Sequence, residues 1–295
     1  MKLLIRAAAL CLVAFAGAAS AQLSVLRTFD QSASVVGLGY DSALDRVWVY
    51  EDRDANLRSF TGGGAFFSAI PQPGEAANDA DLDIAPRAFV LGTREIAAGT
   101  LLHVNGETGT ADIYAVDKNT GTVLGSLATS FGASHVVGGA YHPGRNTFFL
   151  VQDTVPSGIA NDSVVAEIDP LTGAVLNTFK IDQQPGATDF TVFFGDIEVN
   201  PATGNLFIVS SDELRIAEFT PGGTLVRMLA LPAGVSGLSG IAFNDLSPHI
   251  AWVSGTSGRV WELSGLPIPE PQTYALLLAG LGLVGFVARR RGTRT

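Results

Sequence analysis

One short pattern recurs five times along the chain and narrows its possible folds more than any other feature. Apolar residues at alternate positions run into a turn at Leu38-Gly39-Tyr40-Asp41 and again at Leu82-Asp83-Ile84-Ala85-Pro86. The pattern returns at Gly139-Ala140-Tyr141-His142-Pro143, Ile197-Glu198-Val199-Asn200-Pro201 and Ile241-Ala242-Phe243-Asn244. Its anchors Tyr40, Ile84, Tyr141, Val199 and Phe243 stand 44, 57, 58 and 44 residues apart. Alternation at period two makes each copy a strand. A repeat of about 40–50 residues, lengthened where loops are inserted, is that of a four-stranded propeller blade.

The other strands of each blade follow in order. A second strand comes after each anchor, at 47–50, 147–151, 206–209 and 250–253, and after a longer insertion at 101–104. A third and fourth form a hairpin, as in Val116-Asp117-Lys118-Asn119-Thr120-Gly121-Thr122-Val123 and Ile168-Asp169-Pro170-Leu171-Thr172-Gly173-Ala174-Val175. Glycine supplies the positive φ these turns need, and the Asp side chain bonds the turn backbone. The last repeat lacks its fourth strand. Ser24-Val25-Leu26-Arg27-Thr28-Phe29 matches Ala174-Val175-Leu176-Asn177-Thr178-Phe179 and is expected to supply it, closing the ring and removing its open edges. The chain is therefore expected to be all-β, a five-bladed β-propeller over residues 22–265. A six-bladed ring, a sandwich or a two-domain β architecture are the alternatives.

The Asp-x-x-Thr-Gly-x-Val hairpins at 117–123 and 169–175 resemble those of YVTN-type, lactonase-like propellers. That resemblance implies surface proteins, binding scaffolds and, in a minority, hydrolases. Fold alone does not choose among them.

Both ends of the sequence carry address signals. Lys2 and Arg6 precede an apolar run over 7–16, and Ala19-Ser20-Ala21 precedes Gln22. Charged start, apolar middle and small-x-small ending make residues 1–21 a secretory signal peptide cut between Ala21 and Gln22. At the other end Pro269-Glu270-Pro271 leads to an apolar run over 274–288 and then to Arg289, Arg290, Arg291 and Arg294. Box, apolar run and Arg cluster in this order resemble the PEP-CTERM sorting signal of Gram-negative bacteria, expected over 266–295. The resemblance implies that the run spans the inner membrane, that an exosortase cuts near the box, and that the body passes to the cell surface or an exopolysaccharide biofilm matrix. At ~1.5 Å per residue the run reaches roughly 22 Å. That is short of a ~30 Å hydrocarbon core, and snorkelling Arg side chains cover part of the deficit. The Arg cluster stays inside by the positive-inside rule, so the body lies outside.

Charge narrows the partners. Six of the 18 Lys and Arg lie in the two end segments, as does one of the 28 acids, Glu270; the body keeps 12 against 27, a net charge of about −15. Such a surface argues against nucleic acid and anionic membrane and favours cations. The one cysteine, Cys11, lies in the signal peptide, so the body has no disulfide, thiol nucleophile or Cys metal site. His103, His135, His142 and His249 form no His-x-His or His-Glu-x-x-His motif. His142 stands where other repeats place Asp41, Asn200 and Asn244, and is expected to act as a turn residue. No Gly-x-Ser-x-Gly elbow is present. Trp48, Trp252 and Trp261 fall on expected strands as inter-blade core.

One irregularity in the repeat points to a site. The positions three and one before the anchor are Gly37 and Gly39, Gly138 and Ala140, and Gly240 and Ala242 in three repeats. In the other two they are Asp81 and Asp83, and Asp196 and Glu198. Residues i and i+2 share one face of a strand, here the face lining the channel. The two acid pairs, with Asp79 beside them, are expected to converge on a hard cation such as Ca²⁺. Three functions follow as expectations: a non-enzymatic binding or scaffold module, a metal-dependent hydrolase of lactonase or phosphoesterase type using channel-mouth carboxylates, or a structural matrix component.

Overall fold

A computed structural model describes residues 22–31, 33–132, 135–153, 163–266 and 280–281. The expected signal peptide with Ala21, the Pro-Glu-Pro box and the Arg cluster lie outside the described residues. Each described blade is one four-stranded antiparallel sheet. Blade one holds β2 (Val35–Asp41), β3 (Arg46–Glu51), β4 (Asn56–Thr61) and β5 (Phe66–Pro71), from the channel outward. Blade two holds β6 (Ala80–Ile84), β9 (Leu101–Asn105), β10 (Asp112–Val116) and β11 (Val123–Ala128). Between β6 and β9 it carries an extra hairpin, β7 (Phe89–Leu91) and β8 (Arg94–Ile96). Blade three holds β12 (Val136–His142), β13 (Thr147–Gln152), β14 (Val164–Ile168) and β15 (Val175–Lys180). Blade four holds β16 (Gly195–Val199), β17 (Leu206–Ser210), β18 (Arg215–Phe219) and β19 (Leu225–Ala230). Blade five holds β20 (Leu238–Phe243), β21 (Ile250–Gly255) and β22 (Arg259–Ser264), completed by β1 (Ser24–Asp30). The five-bladed ring expected from the repeat is the fold, and all five anchors sit on innermost strands.

The strands differ by radius as burial requires. Innermost strands are buried along their whole length, because a neighbouring blade packs on each face. Their sequences are accordingly apolar or small over most of their length. Outer strands β1, β11 and β15 are mostly exposed. The core is divided among the gaps between blades. In the gap between blades five and one, Trp252, Val260 and Ala242 pack on Leu38, Tyr40 and Val49. Trp48 and Trp261 are likewise buried between blades. The blade-two insertion contributes too: the Phe89 ring stacks on Tyr141 of blade three at 4.2 Å. The sequence marks this segment only as a long insertion, since two three-residue strands leave no readable alternation.

Turn chemistry follows the repeat. Asp41, Asn200 and Asn244 each accept backbone N–H groups two or three residues on, and His142 Nδ1 accepts from Arg145 N at 3.2 Å in the same position. Gly121 and Gly173 close the Asp-x-x-Thr-Gly hairpins at φ of 75° and 71°.

The innermost strands run in one direction. Asp81 reaches Gly139 N, and two residues further on Asp83 reaches Tyr141 N. The ring therefore has an upper face, where innermost strands begin, and a lower face, where they end. Both ends of the propeller leave from the lower face. Ser24 pairs with Ser264, and Leu266 N donates to the His249 carbonyl at 3.1 Å in the lower β20–β21 loop. Apolar exposure is lopsided in the same sense. Outer strands start at the lower face, and they open on exposed pairs such as Val25–Leu26, Phe66–Phe67 and Val175–Leu176. Leu44, Leu171 and Leu246 protrude from lower-face turns. Among the described residues of the propeller, Leu214 is the one exposed large apolar side chain on the upper face. No described helix is long and apolar enough to cross a membrane.

Candidate functional site

The acid pairs read from the repeat do line the channel, and all four side chains are buried. An innermost strand has one edge without a neighbouring strand in its own sheet, so N–H groups there need acceptors. The acids supply them across blades. Asp81 accepts from Leu38 N of blade one at 3.2 Å and from Gly139 N of blade three at 3.1 Å. Asp83 accepts from Tyr141 N at 3.1 Å, and Asp196 from Ile241 N of blade five at 2.7 Å. Glu198 accepts from Val199 N in its own strand at 2.7 Å.

The same contacts explain the small residues opposite. A Cβ on Gly37 would stand 2.8 Å from Asp81 Cα, and one on Gly138 would stand 2.6 Å from Asp196 Cα. Glycine in one blade makes room for the acid-bearing strand of the next. The alternation of acids and glycines thus has a packing basis that the sequence does not disclose.

Electrostatics follow from crowding. Burial raises all four acids: Asp81 to about 7, Asp83 to about 8, and Asp196 and Glu198 well above the usual range. Neighbouring carboxylates add to the rise at Asp83, Asp196 and Glu198. Asp196 shares a hydrogen bond with Asp81, and among its neighbours Glu198 feels Asp83 most strongly. The quartet is arranged as two facing pairs stacked along the channel.

Asp79 does not join them. It precedes β6 at the upper face and lies beside His135, which precedes β12, and Asp153, which follows β13. His135 Nδ1 is 2.6 Å from Asp79 Oδ2. Among the described residues this is the one group of His, Cys, Asp or Glu in which three ligand atoms all lie within 4.8 Å of one another. Burial pushes Asp79 up to about 7 even with the imidazole beside it. His135 carried no motif in the sequence, because its partners lie 56 residues before and 18 after it. His103, expected on a strand, is buried on β9 with Nδ1 3.1 Å from the Asp81 carbonyl.

The fold therefore defines a five-bladed β-propeller with an acidic channel. Residues 267–291, directly after the last described residue of the ring, match the PEP-CTERM protein-sorting motif. That motif makes the chain an exported, membrane-anchored precursor that an exosortase processes to the cell surface. No curated protein sequence matches the chain. Among solved structures, the streptogramin B lyase structure is similar at 14% identity and a TM-score of 0.44, over 86% of this chain and 76% of that one.

Proposed function

We propose that the protein is a displayed binding module: a non-enzymatic propeller that takes a surface or exopolysaccharide partner on its upper face. The observation that carries this reading is the departure of both propeller ends from the lower face. Before processing, the anchor holds the lower face toward the bilayer. The exposed apolar pairs and the tips Leu44, Leu171 and Leu246 then lie toward lipid. The upper face, with Asp52, Glu75, Glu107, Asp189 and Asp212 on its loops, lies away from it, as an anionic membrane surface would favour. Cutting at the sorting motif frees the lower rim and leaves the upper face as it was. A metal-dependent hydrolase is the second reading, favoured by the Asp79, His135 and Asp153 group at the upper face.

The native cysteine lies in the signal peptide, so single-cysteine variants report one position each. Leu214→Cys marks the upper face and Leu246→Cys the lower; these side chains are 65% and 75% exposed. In cells lacking the exosortase, a membrane-impermeant maleimide should label Leu214→Cys several-fold faster than Leu246→Cys. In released protein the two rates should converge. Equal labelling of both in the anchored precursor refutes the orientation. Binding itself is tested by pull-down of the released protein with the producer's own exopolysaccharide.

A further inference from the structure

We infer that Asp79, His135 and Asp153 form a binding site for a divalent first-row transition metal ion such as Zn²⁺ or Mn²⁺, on the upper face between blades two and three. The inference does not depend on where the protein is displayed or on what it binds there.

Three observations carry it. The first is convergence. Ligand atoms on one octahedral cation with ~2.1 Å bonds stand about 3 Å apart. Here three lie within 4.8 Å of one another, so a small inward movement brings them to one ion. The second is an unsatisfied group. The Asp79 side chain has no solvent exposure, yet Oδ1 has no hydrogen-bond partner. Oδ2 lies close to His135 Nδ1 but not in line for a hydrogen bond, so the contact is a juxtaposition of charge and ring nitrogen. A buried carboxylate oxygen without a partner is destabilising unless something occupies it.

The third observation comes from the repeat, which acts as its own control. In each blade the residue after the second strand donates its N–H to the residue before the first: Asp52 to Ser34, Gly106 to Asp79, Asp153 to His135, Ser211 to Phe194 (shared with Phe193), and Thr256 to Gly237. The fold keeps that backbone bond in all five blades, whichever side chain stands before the first strand. Where blades two and three place Asp79 and His135, the others place Ser34, Phe194 and Gly237. The ligand types meet at a single inter-blade gap.

The donor set selects the metal. Imidazole nitrogen suits zinc, iron, copper and nickel, and carboxylate oxygen suits harder ions, so one His with two Asp favours Zn²⁺ or Mn²⁺ over Ca²⁺. Three protein ligands leave coordination positions open to water or to a partner's oxygen atoms.

The test uses the full-length protein purified in detergent and stripped with chelator. Zn²⁺ and Mn²⁺ are titrated in calorimetry and in thermal melts, with Ca²⁺ alongside. At about 100-fold over Kd, one of the two ions should raise Tm by roughly 5–10 °C. His135→Gln and Asp153→Asn should each weaken binding by more than about tenfold, since even loss of an outer partner costs that much. Co²⁺ should give a visible d–d band in the parent that His135→Gln loses. Asp79→Asn guards against misfolding as an explanation: it should melt at or above the metal-free parent, because it removes a buried carboxyl whose Oδ1 has no hydrogen-bond partner, and should no longer respond to metal. No stabilisation by Zn²⁺ or Mn²⁺, or equal stabilisation of parent and His135→Gln, overturns the assignment. So does a response to Ca²⁺ that matches the response to both other ions.

Discussion

The Arg27 guanidinium grips Glu262 with two hydrogen bonds, Nε to Oε2 at 2.6 Å and Nη2 to Oε1 at 2.7 Å, across the seam where β1 meets β22. Glu262 is buried, and the Arg27 guanidinium also lies over the Trp252 ring at 4.8 Å. One side chain therefore joins the strand that closes the ring to the core between blades five and one. Arg27→Ala should destabilise the protein by about 2 kcal/mol, the scale of a hydrogen-bonded charged group, because it leaves Glu262 buried without its partner. Chemical denaturation measures this. Arg259→Ala, which breaks the exposed pair with Asp30 on the same seam, should leave stability unchanged.

Ring closure has a sharper consequence. Removal of 22–30 should expose the whole edge of β22 and strip the Phe29 contacts with Phe60 and Trp252. Protein lacking that segment should aggregate or melt without cooperativity, as scattering and calorimetry would show. A cooperative melt at the parent temperature would disprove closure by β1.

The channel glycines are as constrained as the acids. Gly138→Ala places a Cβ 2.6 Å from Asp196 Cα, and Gly37→Ala one 2.8 Å from Asp81 Cα. Backbone on the far side cannot yield as a flexible side chain would. Each change should cost about 1–3 kcal/mol in denaturation, the range for overpacking.

Much of this was readable in the sequence, and for definite reasons. The anchors Tyr40 through Phe243 are legible because each innermost strand meets the same packing demand. Closure was legible because β1 copies β15 nearly residue for residue. The Asp81, Asp83, Asp196 and Glu198 set stands out in the sequence through its departure from the repeat. Its bonds to Leu38, Gly139 and Ile241 were not legible, because they depend on which blade is a neighbour and at what height. The role of His135 is not legible from its own neighbours, since its partners meet it only through the ring. A useful signal was present: at the position before the first strand, two successive repeats carry Asp and His where others carry Ser, Phe or Gly.

His103 should give a pH signature. Burial lowers it to about 4, against an unfolded value of about 6.5. The titratable side chains packed on it, Tyr50 and Tyr114, stay neutral over that range. Above pH 6.5 both folded and unfolded states hold a neutral ring, and no stability is lost. As pH falls from about 6.5 to 4 the unfolded state takes up a proton that the folded state refuses, so stability falls by up to about 3 kcal/mol. His103→Gln should lack this component. The difference between the two proteins across pH 7 to 4, in which other groups cancel, measures it; a flat difference contradicts the assignment.

An exosortase-processed precursor delivers this propeller to the surface. Intact mass and terminal-peptide spectrometry on protein released by the native producer tests it most directly. Released protein should begin at Gln22 and end near Pro269–Pro271, and it should be missing from the medium when the exosortase is deleted. Released protein that still ends at Thr295 would contradict the claim.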